Sequence, residues 1–312
     1  MCHFWGLLGT TFNEWLEDKA PRLGAAVAYY AAFSIAPLFV LFMEVMGFFY
    51  KGDTLQTVRA QISVMAGANA ADAIVAILRG VQNAGGTRTA TALSVITLLI
   101  AATGMFGQLQ DAMNTIWEVT PKPRRFWWDI LRTRLFSFLM IVAFSAVLLF
   151  SLALTTFLAN VTRYFQTILP FTAGLWPLAD LALSFVVTTA LFAAIFKILP
   201  DVNIAWSDVW VGAAATAALF AIGKIGIGLY LGRSSFTSAY GAAGSLLALL
   251  AWVYFSSQIL FFGAELTFVY AREYKHRFRP ARGAVFLTEE MRIKQGIPHT
   301  ETIDEAFKKK IA

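Results

Sequence analysis

The sequence has one cysteine and three histidines, and these low counts exclude disulfides and the common metal sites. A single thiol, Cys2, cannot form an intramolecular disulfide or a thiolate-ligated metal centre. His3, His276 and His299 are far apart, and no HExxH or CxxC spacing occurs. The GxxxxGK[ST] loop of P-loop ATPases is also missing. We therefore expect no metal, no cofactor and no enzymatic activity.

Charged residues are scarce as well. They make up 14% of the 312 residues, whereas 58% are hydrophobic and 15% aromatic. A soluble domain carries about 25% charged residues and could not bury this much apolar surface. The composition therefore predicts a membrane protein that crosses the bilayer several times, with aromatic residues at the interfaces.

Six stretches approach or exceed the roughly 20 apolar residues that a helix needs to cross a bilayer. We expect an all-α fold with six transmembrane helices at about 24–50, 90–110, 135–159, 178–199, 209–231 and 244–270. They form a transmembrane domain over 24–270, preceded by an N-terminal segment, 1–23, and followed by a basic tail, 271–312.

Two segments outside these spans have the apolar spacing of amphipathic helices that lie on a membrane surface. In the N-terminal segment the repeating residues are Phe4, Leu8, Phe12 and Trp15. A frayed polar tail is the alternative there. In the loop after the first span they are Ile74, Ile77, Leu78 and Val81, for which plain packing on the bundle is an equal alternative.

The distribution of lysine and arginine predicts the orientation. The N-terminal segment, the loop after the second span and the tail together hold most of the 25 basic residues. The positive-inside rule places these segments, and both termini, in the cytoplasm. Their basic runs adjoin helices at the membrane, where anionic lipid headgroups are a commoner partner than nucleic acid.

The first span contains an acid, Glu44, which follows Tyr30 and Pro37 at heptad spacing. Pro37 is expected to kink this helix. Lys224 lies at a similar depth in the fifth span, and a lone charge there costs about 2.5–3.5 kcal/mol. We therefore expect Glu44 and Lys224 to pair, either as a structural salt bridge or as a substrate or proton site.

A stripe of small and polar residues follows one face of the second span: Ser94, Thr97, Ala101, Gly104, Gln108 and Asp111. Close helix packing explains such a stripe, but Gln108 and Asp111 favour the lining of a polar interior. A second polar site is expected near the inner leaflet from Lys197, Gln258 and Glu265. Snorkelling of Lys197 to the interface is an alternative.

Four stretches resemble the YihY/BrkB family: "DKAPRLGAAVAYYAAFSIAPL", "GMFGQLQDAMNTIWEV", "ILPDVNIAWSDVWVGA" and "SAYGAAGSLLALLAWVYFSSQILFFGAEL". The resemblance covers roughly residues 15–270 and implies a bacterial inner-membrane protein of about six helices, labelled a virulence or serum-resistance factor. The family has also carried the label ribonuclease BN. We reject that activity here, because the chain lacks the clustered His and Asp of a metal-dependent nuclease.

The family brings no established active site to carry over. The residues within the matching stretches with the position and chemistry to matter are Asp18, Arg22, Tyr30, Pro37, Asp111, Asn114, Trp117, Asp201, Tyr240, Gly241, Gly244 and Glu265. For Asp18, Asn114 and Asp201, capping of helix ends is the favoured interpretation.

The polar stripes, the kinked helix and the interfacial segments suit a protein that transports or presents a lipid or other amphiphile in the envelope. A membrane scaffold that docks envelope partners without transport is the alternative, and an intramembrane enzyme is a third. Gly228 and Gly232 form a GxxxG pair, which is compatible with a homo-oligomer.

Overall fold

A computed structural model of the protein describes residues 2–49, 88–122, 176–233, 242–273 and 278–302, together with residues 56, 59, 75 and 79. Its long helices are α1 (Cys2–Glu17), α2 (Ala20–Phe49), α3 (Arg88–Ile116), α4 (Trp176–Ile198), α5 (Trp206–Arg233) and α6 (Ala242–Glu273). Three short segments follow in the tail: β3 (Arg279–Pro280), β4 (Ala284–Phe286) and helix α7 (Glu289–Gln295). Strands β1 (Val119–Pro121) and β2 (Val202–Asn203) lie between the long helices.

Five of the six predicted spans coincide with one of these helices, and the remaining one, 135–159, lies outside the described residues. Within the described part, two helical stretches are long and apolar enough to cross a bilayer, Trp206–Gly226 in α5 and Leu247–Glu273 in α6. A shorter apolar stretch, Ser184–Ile198, lies in α4. The fold is thus mainly helical.

The strands correct the expectation of a purely helical protein. β1 pairs with β4 in antiparallel register, with Val119 opposite Phe286, and β2 pairs with β3. Both ladders join a loop after a long helix to the basic tail. The main-chain bond from Leu287 N to Glu118 O, at 2.7 Å, continues the first ladder. The described part of the tail is therefore folded against these loops.

The chain divides into two compact units. The first contains residues 1–20, 110–220 and 259–312. An aromatic cluster lies in its core, where Trp117 is fully buried. Its ring packs edge-on against Phe268 and Phe278, with ring centroids 5.6 and 5.4 Å away. These contacts bury large apolar area and place the tail residue Phe278 beside helix α6.

Helices α5 and α6 interlock within the first unit through two glycine–threonine pairs. Gly212 of α5 lies against Thr267 of α6, and Gly263 of α6 lies against Thr216 of α5. Each threonine hydroxyl donates to the carbonyl four residues earlier in its own helix, at 2.6 Å for Thr216 and 2.7 Å for Thr267. A Cβ at either glycine would overlap the facing threonine. Small residues thus permit this close approach.

The second unit contains residues 21–109 and 221–258. Two glycines in this unit are in close contact with a large side chain. The ring of Tyr30 lies against Gly104, where a Cβ would be 2.5 Å from the ring. The side chain of Gln258 lies against Gly24. Gly104 therefore serves close packing, which is one of the two interpretations of the polar stripe on this helix.

The N-terminal segment forms a helix, α1, as its apolar spacing predicts. Its exposed side, however, does not coincide with the predicted apolar stripe. Leu7 and Thr11 are buried, whereas Trp5, Phe12 and Leu16 are 70%, 51% and 49% exposed. Of the predicted stripe, Phe12 is exposed, Leu8 and Trp15 are half-buried, and Phe4 lies outside the described side chains. The second predicted amphipathic stretch, 74–81, lies outside the described residues except at two positions.

Candidate functional site

An ion pair is buried where the N-terminal helix ends. Asp18 lies in the turn between α1 and α2, and its carboxylate accepts a hydrogen bond from Arg292 of α7 at 2.7 Å. The two side chains are 4% and 1% exposed. A buried pair of this kind is costly to desolvate and more costly to break, because either partner alone would be an uncompensated charge.

The local backbone explains how Asp18 reaches this position. Helix α1 ends with a hydrogen bond from Asp18 N to Glu14 O, followed by Lys19 in the left-handed region at φ 52°. This turn ends α1 and holds Asp18 in a buried position. The Lys19 ammonium donates to the carbonyl of Gly296, which is a second link between the turn and the tail.

Arg292 lies in helix α7, which has a well-defined C-terminal end. Gly296 takes the left-handed conformation, φ 73°, at its C-terminus, and Ile297 N bonds to Arg292 O at 2.9 Å. These are the features of a glycine C-cap. Ile297, which follows this cap, is buried. Strand β4 before this helix is paired with β1, and the cap ends the helix at Gly296. Between these two points Arg292 is buried within the protein.

A second acid, Glu265 of α6, is fully buried in the same unit. It interacts electrostatically with Asp18, Glu14 and Arg292, and its carboxyl group lies within hydrogen-bonding range of Asp18. Among the described residues, neither oxygen of Glu265 has a hydrogen-bond donor. Arg292 Nε and Nη1 also have no partner in that part of the chain. We call Asp18, Glu265 and Arg292 the buried cluster.

Burial raises the pKa of the Asp18 carboxyl from 3.8 to about 6. The Arg292 guanidinium opposes this rise, and the negative charges of Glu14 and Glu118 add to it. Desolvation therefore outweighs the ion pair. The Asp18 carboxyl is unusual for an aspartate, because it exchanges its proton close to physiological pH.

A group of acidic residues with one histidine lies at the edge of this region. His299 Nδ1 is 2.6 Å from Glu289 Oε2, and its Nε2 is 3.4 Å from Glu118 Oε1. Although partial burial disfavours the charged ring, the hydrogen bond and charge of Glu289 raise the pKa of His299. The bonds to His299 and Thr302 likewise lower the pKa of Glu289 against the effect of burial.

One ligand-type atom each from Glu14, Glu17 and His299 lies within 4.8 Å of the others, a spacing that a metal ion could bridge. The two carboxylates already have partners. Glu14 accepts from Arg272 at 2.6 Å, and Glu17 accepts from the Thr300 hydroxyl at 2.5 Å. Sequence reasoning missed this group because its members come from opposite ends of the chain.

Asn114 and Asp201 hold two segments together rather than capping helices. Asn114 Nδ2 donates to Asp201 Oδ2 at 3.0 Å, and Asp201 N donates to Asn114 Oδ1 at 2.8 Å. Gln110 adds a weaker bond to the same carboxylate, at 3.3 Å. Asp18 also serves in a tertiary contact, so the favoured capping interpretation does not describe these three residues.

The predicted inner-side site is not assembled as expected. Lys197 donates to the main-chain carbonyl of Ile204 and lies over the ring of Trp206, 5.8 Å from its centroid. It therefore anchors the turn after its own helix instead of pairing with Glu265. Gln258 lies beside Gly24 in the second unit. The charged groups that act on Glu265 are instead Asp18, Glu14 and Arg292.

The predicted pair of Glu44 and Lys224 stays a prediction. The backbone of α2 is helical through Pro37 and Glu44, but both side chains lie outside the described part. Lys224 is exposed. Tyr240 and Gly241 lie outside the described residues, and Gly244 lies within the first turn of α6.

The other predicted residues differ in exposure. Arg22 and Asp111 are exposed, Gln108 is half-buried, and Asn114 and Trp117 are buried. The stripe on α3 therefore does not form one uniformly buried polar face. Trp117 belongs to the aromatic core, and its Nε1 has no hydrogen-bond partner among the described residues. Of the predicted residues, the structure brings together Asp18 with Glu265 and Asn114 with Asp201.

Comparison with known proteins gives a family. A family model described as "Virulence factor BrkB" matches residues 11–286. A UPF0761 membrane protein of Ralstonia nicotianae is 25% identical over 261 residues, which cover 80% of this chain and 55% of the relative. One of Pseudomonas aeruginosa is 27% identical over 266 residues, covering 81% and 60%. One of Aliivibrio fischeri is 24% identical over 277 residues, covering 84% and 82%.

The chain thus spans little more than half the length of the Ralstonia and Pseudomonas relatives. No solved structure matches it. The relatives are named as membrane proteins, in agreement with the two apolar helical stretches in α5 and α6. Because the family model covers most of the sequence, this chain is a membrane protein that belongs to the BrkB family.

Proposed function

We propose that the protein moves or presents a lipid or other amphiphile in the bacterial inner membrane, as a six-span protein with both termini in the cytoplasm. The observation that carries the proposal is the buried cluster of Asp18, Glu265 and Arg292. An ionisable group within a membrane span is costly and indicates a functional site, and Glu265 lies within the sixth predicted span. In the part of the chain that the structure describes, Glu265 and Arg292 are incompletely hydrogen-bonded, and buried polar groups without partners call for an explanation.

The position of the cluster relative to α1 supports an amphiphilic cargo. Helix α1 exposes Trp5, Phe12 and Leu16, side chains that suit the boundary between headgroups and acyl chains. The same helix leads directly into Asp18. A lipid needs both kinds of surface, an apolar one for its chains and a charged one for its headgroup.

A scaffold that docks envelope partners is the second candidate. Phe286, Met291 and Ile293 in the tail are 49%, 40% and 52% exposed, which gives the tail an apolar contact surface. This surface does not explain why acids are buried behind it. A docking surface functions equally well over an apolar core, and for that reason we favour the first candidate.

Reconstitution tests the proposal. The purified chain is placed in liposomes that contain fluorescent phosphatidylethanolamine or phosphatidylglycerol, and the rate at which label becomes accessible to a membrane-impermeant quencher is measured. We expect faster exchange than in empty vesicles and a loss in Glu265→Gln. Glu290→Gln, which neutralises an exposed acid of α7, is the matched control and should match the wild type.

Two results would contradict transport. The first is exchange no faster than in empty vesicles for either lipid, with the protein correctly inserted and monodisperse. The second is equal exchange in wild type and Glu265→Gln. In the first case, retained binding of envelope proteins to the intact tail would favour the scaffold.

A further inference from the structure

The buried cluster contains more negative than positive charge. Asp18 and Glu265 are both at least nine-tenths buried, and Arg292 is the cation that contacts Asp18. The cluster would carry a net charge of minus one if all three groups were ionised. Glu14 acts on both acids and Glu118 acts on Asp18, so the neighbouring elements add negative charge. Arg272 is bound to Glu14 at 2.6 Å.

The closeness of the two acids indicates that one of their carboxyl groups carries a proton. An ionised carboxylate only accepts hydrogen bonds, so two of them within hydrogen-bonding range can bond only if one carries a proton. Glu265 is within that range of Asp18, and its oxygens have no donor among the described residues. Paired carboxyl groups that share one proton are a recurrent solution to this arrangement.

We propose that Asp18 and Glu265 form an exchangeable proton-binding site, in which one proton is held between the two carboxyl groups while Arg292 balances the remaining charge. A metal cation would need several oxygen ligands, whereas Arg292, which borders the pair, supplies N–H donors. The proton therefore fits the site better than sodium does. The coupling of proton exchange to lipid movement rests on the proposed function. The existence of the proton site does not depend on that function.

The cluster also contains the groups needed for release of the proton. Arg292 Nε and Nη1 have no other partner in the described part of the chain, so they can donate to the second carboxylate when it becomes ionised. Glu14 interacts with both acids and is 16% exposed. Its partial exposure places the edge of the cluster near water, to which the proton would be released.

Reaction with a hydrophobic carbodiimide tests the site, because the reagent attacks protonated carboxyl groups in apolar surroundings. The full chain in detergent is treated between about pH 5 and pH 8, and the modified peptides are quantified by mass spectrometry. Above the apparent pKa of the pair, we expect modification at Asp18 or Glu265 to fall about tenfold per pH unit. Glu265→Gln should remove the modification at position 265 and reduce that at Asp18, which loses the carboxyl group that shares its proton, whereas Glu290→Gln should leave both unchanged.

Three outcomes would overturn the proton site: no modification at any pH, modification independent of pH, or protection by sodium but not by choline at equal ionic strength. The last would indicate a sodium site. If Glu265→Gln fails to fold, the titration of the wild type and of Glu265→Asp still decides the matter.

The same proteoliposomes separate this inference from the proposed function. Lipid exchange without carbodiimide modification refutes the proton site and leaves transport standing. Modification without lipid exchange supports the proton site and refutes transport.

Discussion

Replacement of Arg292 by methionine would remove the positive charge of the buried cluster while keeping most of the side-chain volume. The substitution would leave the carboxyl groups of Asp18 and Glu265 buried without this cation. Asp18, 4% exposed, loses its hydrogen bond of 2.7 Å, and Glu265 loses the electrostatic attraction of Arg292. Breaking a buried ion pair by removal of one partner typically costs 3–5 kcal/mol. We expect a loss of about that size for docking of the tail.

The sign of the pH dependence follows from the pKa of Asp18. Since its pKa is about 6 in the folded protein and 3.8 in a model peptide, ionisation opposes folding by up to about 3 kcal/mol above pH 6. Arg292 lowers this pKa, so Arg292→Met raises it further. The added penalty is therefore full above the new pKa and small near pH 5, where Asp18 is neutral in both proteins.

Limited proteolysis with thermolysin measures the docking of the tail without depending on basic cleavage sites. Arg282→Met, which removes an exposed charge from the same tail, is the matched control. We expect Arg292→Met to be cleaved in the tail much faster than the control near pH 8, and only slightly faster near pH 5. Equal cleavage of the two variants near pH 8, or a larger difference near pH 5, would refute the reasoning.

Three further predictions concern other contacts. Gly212→Ala should destabilise the α5–α6 packing by about 1–3 kcal/mol and lower the Tm in detergent, whereas Gly226→Ala, with open space around its Cα, should be neutral or stabilising. An unchanged Tm for Gly212→Ala would contradict the interlock. Asn114→Ala loses both hydrogen bonds to Asp201, so a loss of about 2 kcal/mol in thermal unfolding is expected. Because the pKa of His299 is raised, its contribution to tail docking is complete below about pH 6.5 and is lost as pH rises through the folded value. His299→Gln should remove this dependence in a proteolysis series, and a persistent dependence would exclude His299 as its source.

The helices were predictable because apolar runs and their spacing determine them locally. The spans at 209–231 and 244–270 lie within α5 and α6, and the apolar repeat of the N-terminal segment predicts α1. The ends were less predictable. Helix α3 continues six residues beyond the expected end of its span, because Asp111, Asn114 and their neighbours remain helical without being apolar.

The buried cluster was only half predictable. Asp18 and Glu265 drew attention as acids beside apolar segments, but nothing near Arg292 in "TEEMRIKQG" indicates burial. Its partner is 274 residues away in the sequence, a separation that no local pattern reports. The strands were missed for a similar reason, since two- and three-residue strands carry no alternation long enough to detect.

The contacts of the tail bear on how the two candidate functions differ. Four polar links join the ends of the chain: Asp18 to Arg292, Lys19 to Gly296, Glu14 to Arg272, and Glu17 to Thr300. Three of these links involve an acid of α1 or of the turn after it, and burial raises the pKa of one of these acids, Asp18, to about 6. A scaffold would gain nothing from a tail whose attachment depends on protons. A transport protein would, because the binding of a proton at Asp18 and Glu265 would then affect α1, the helix that exposes Trp5 and Phe12.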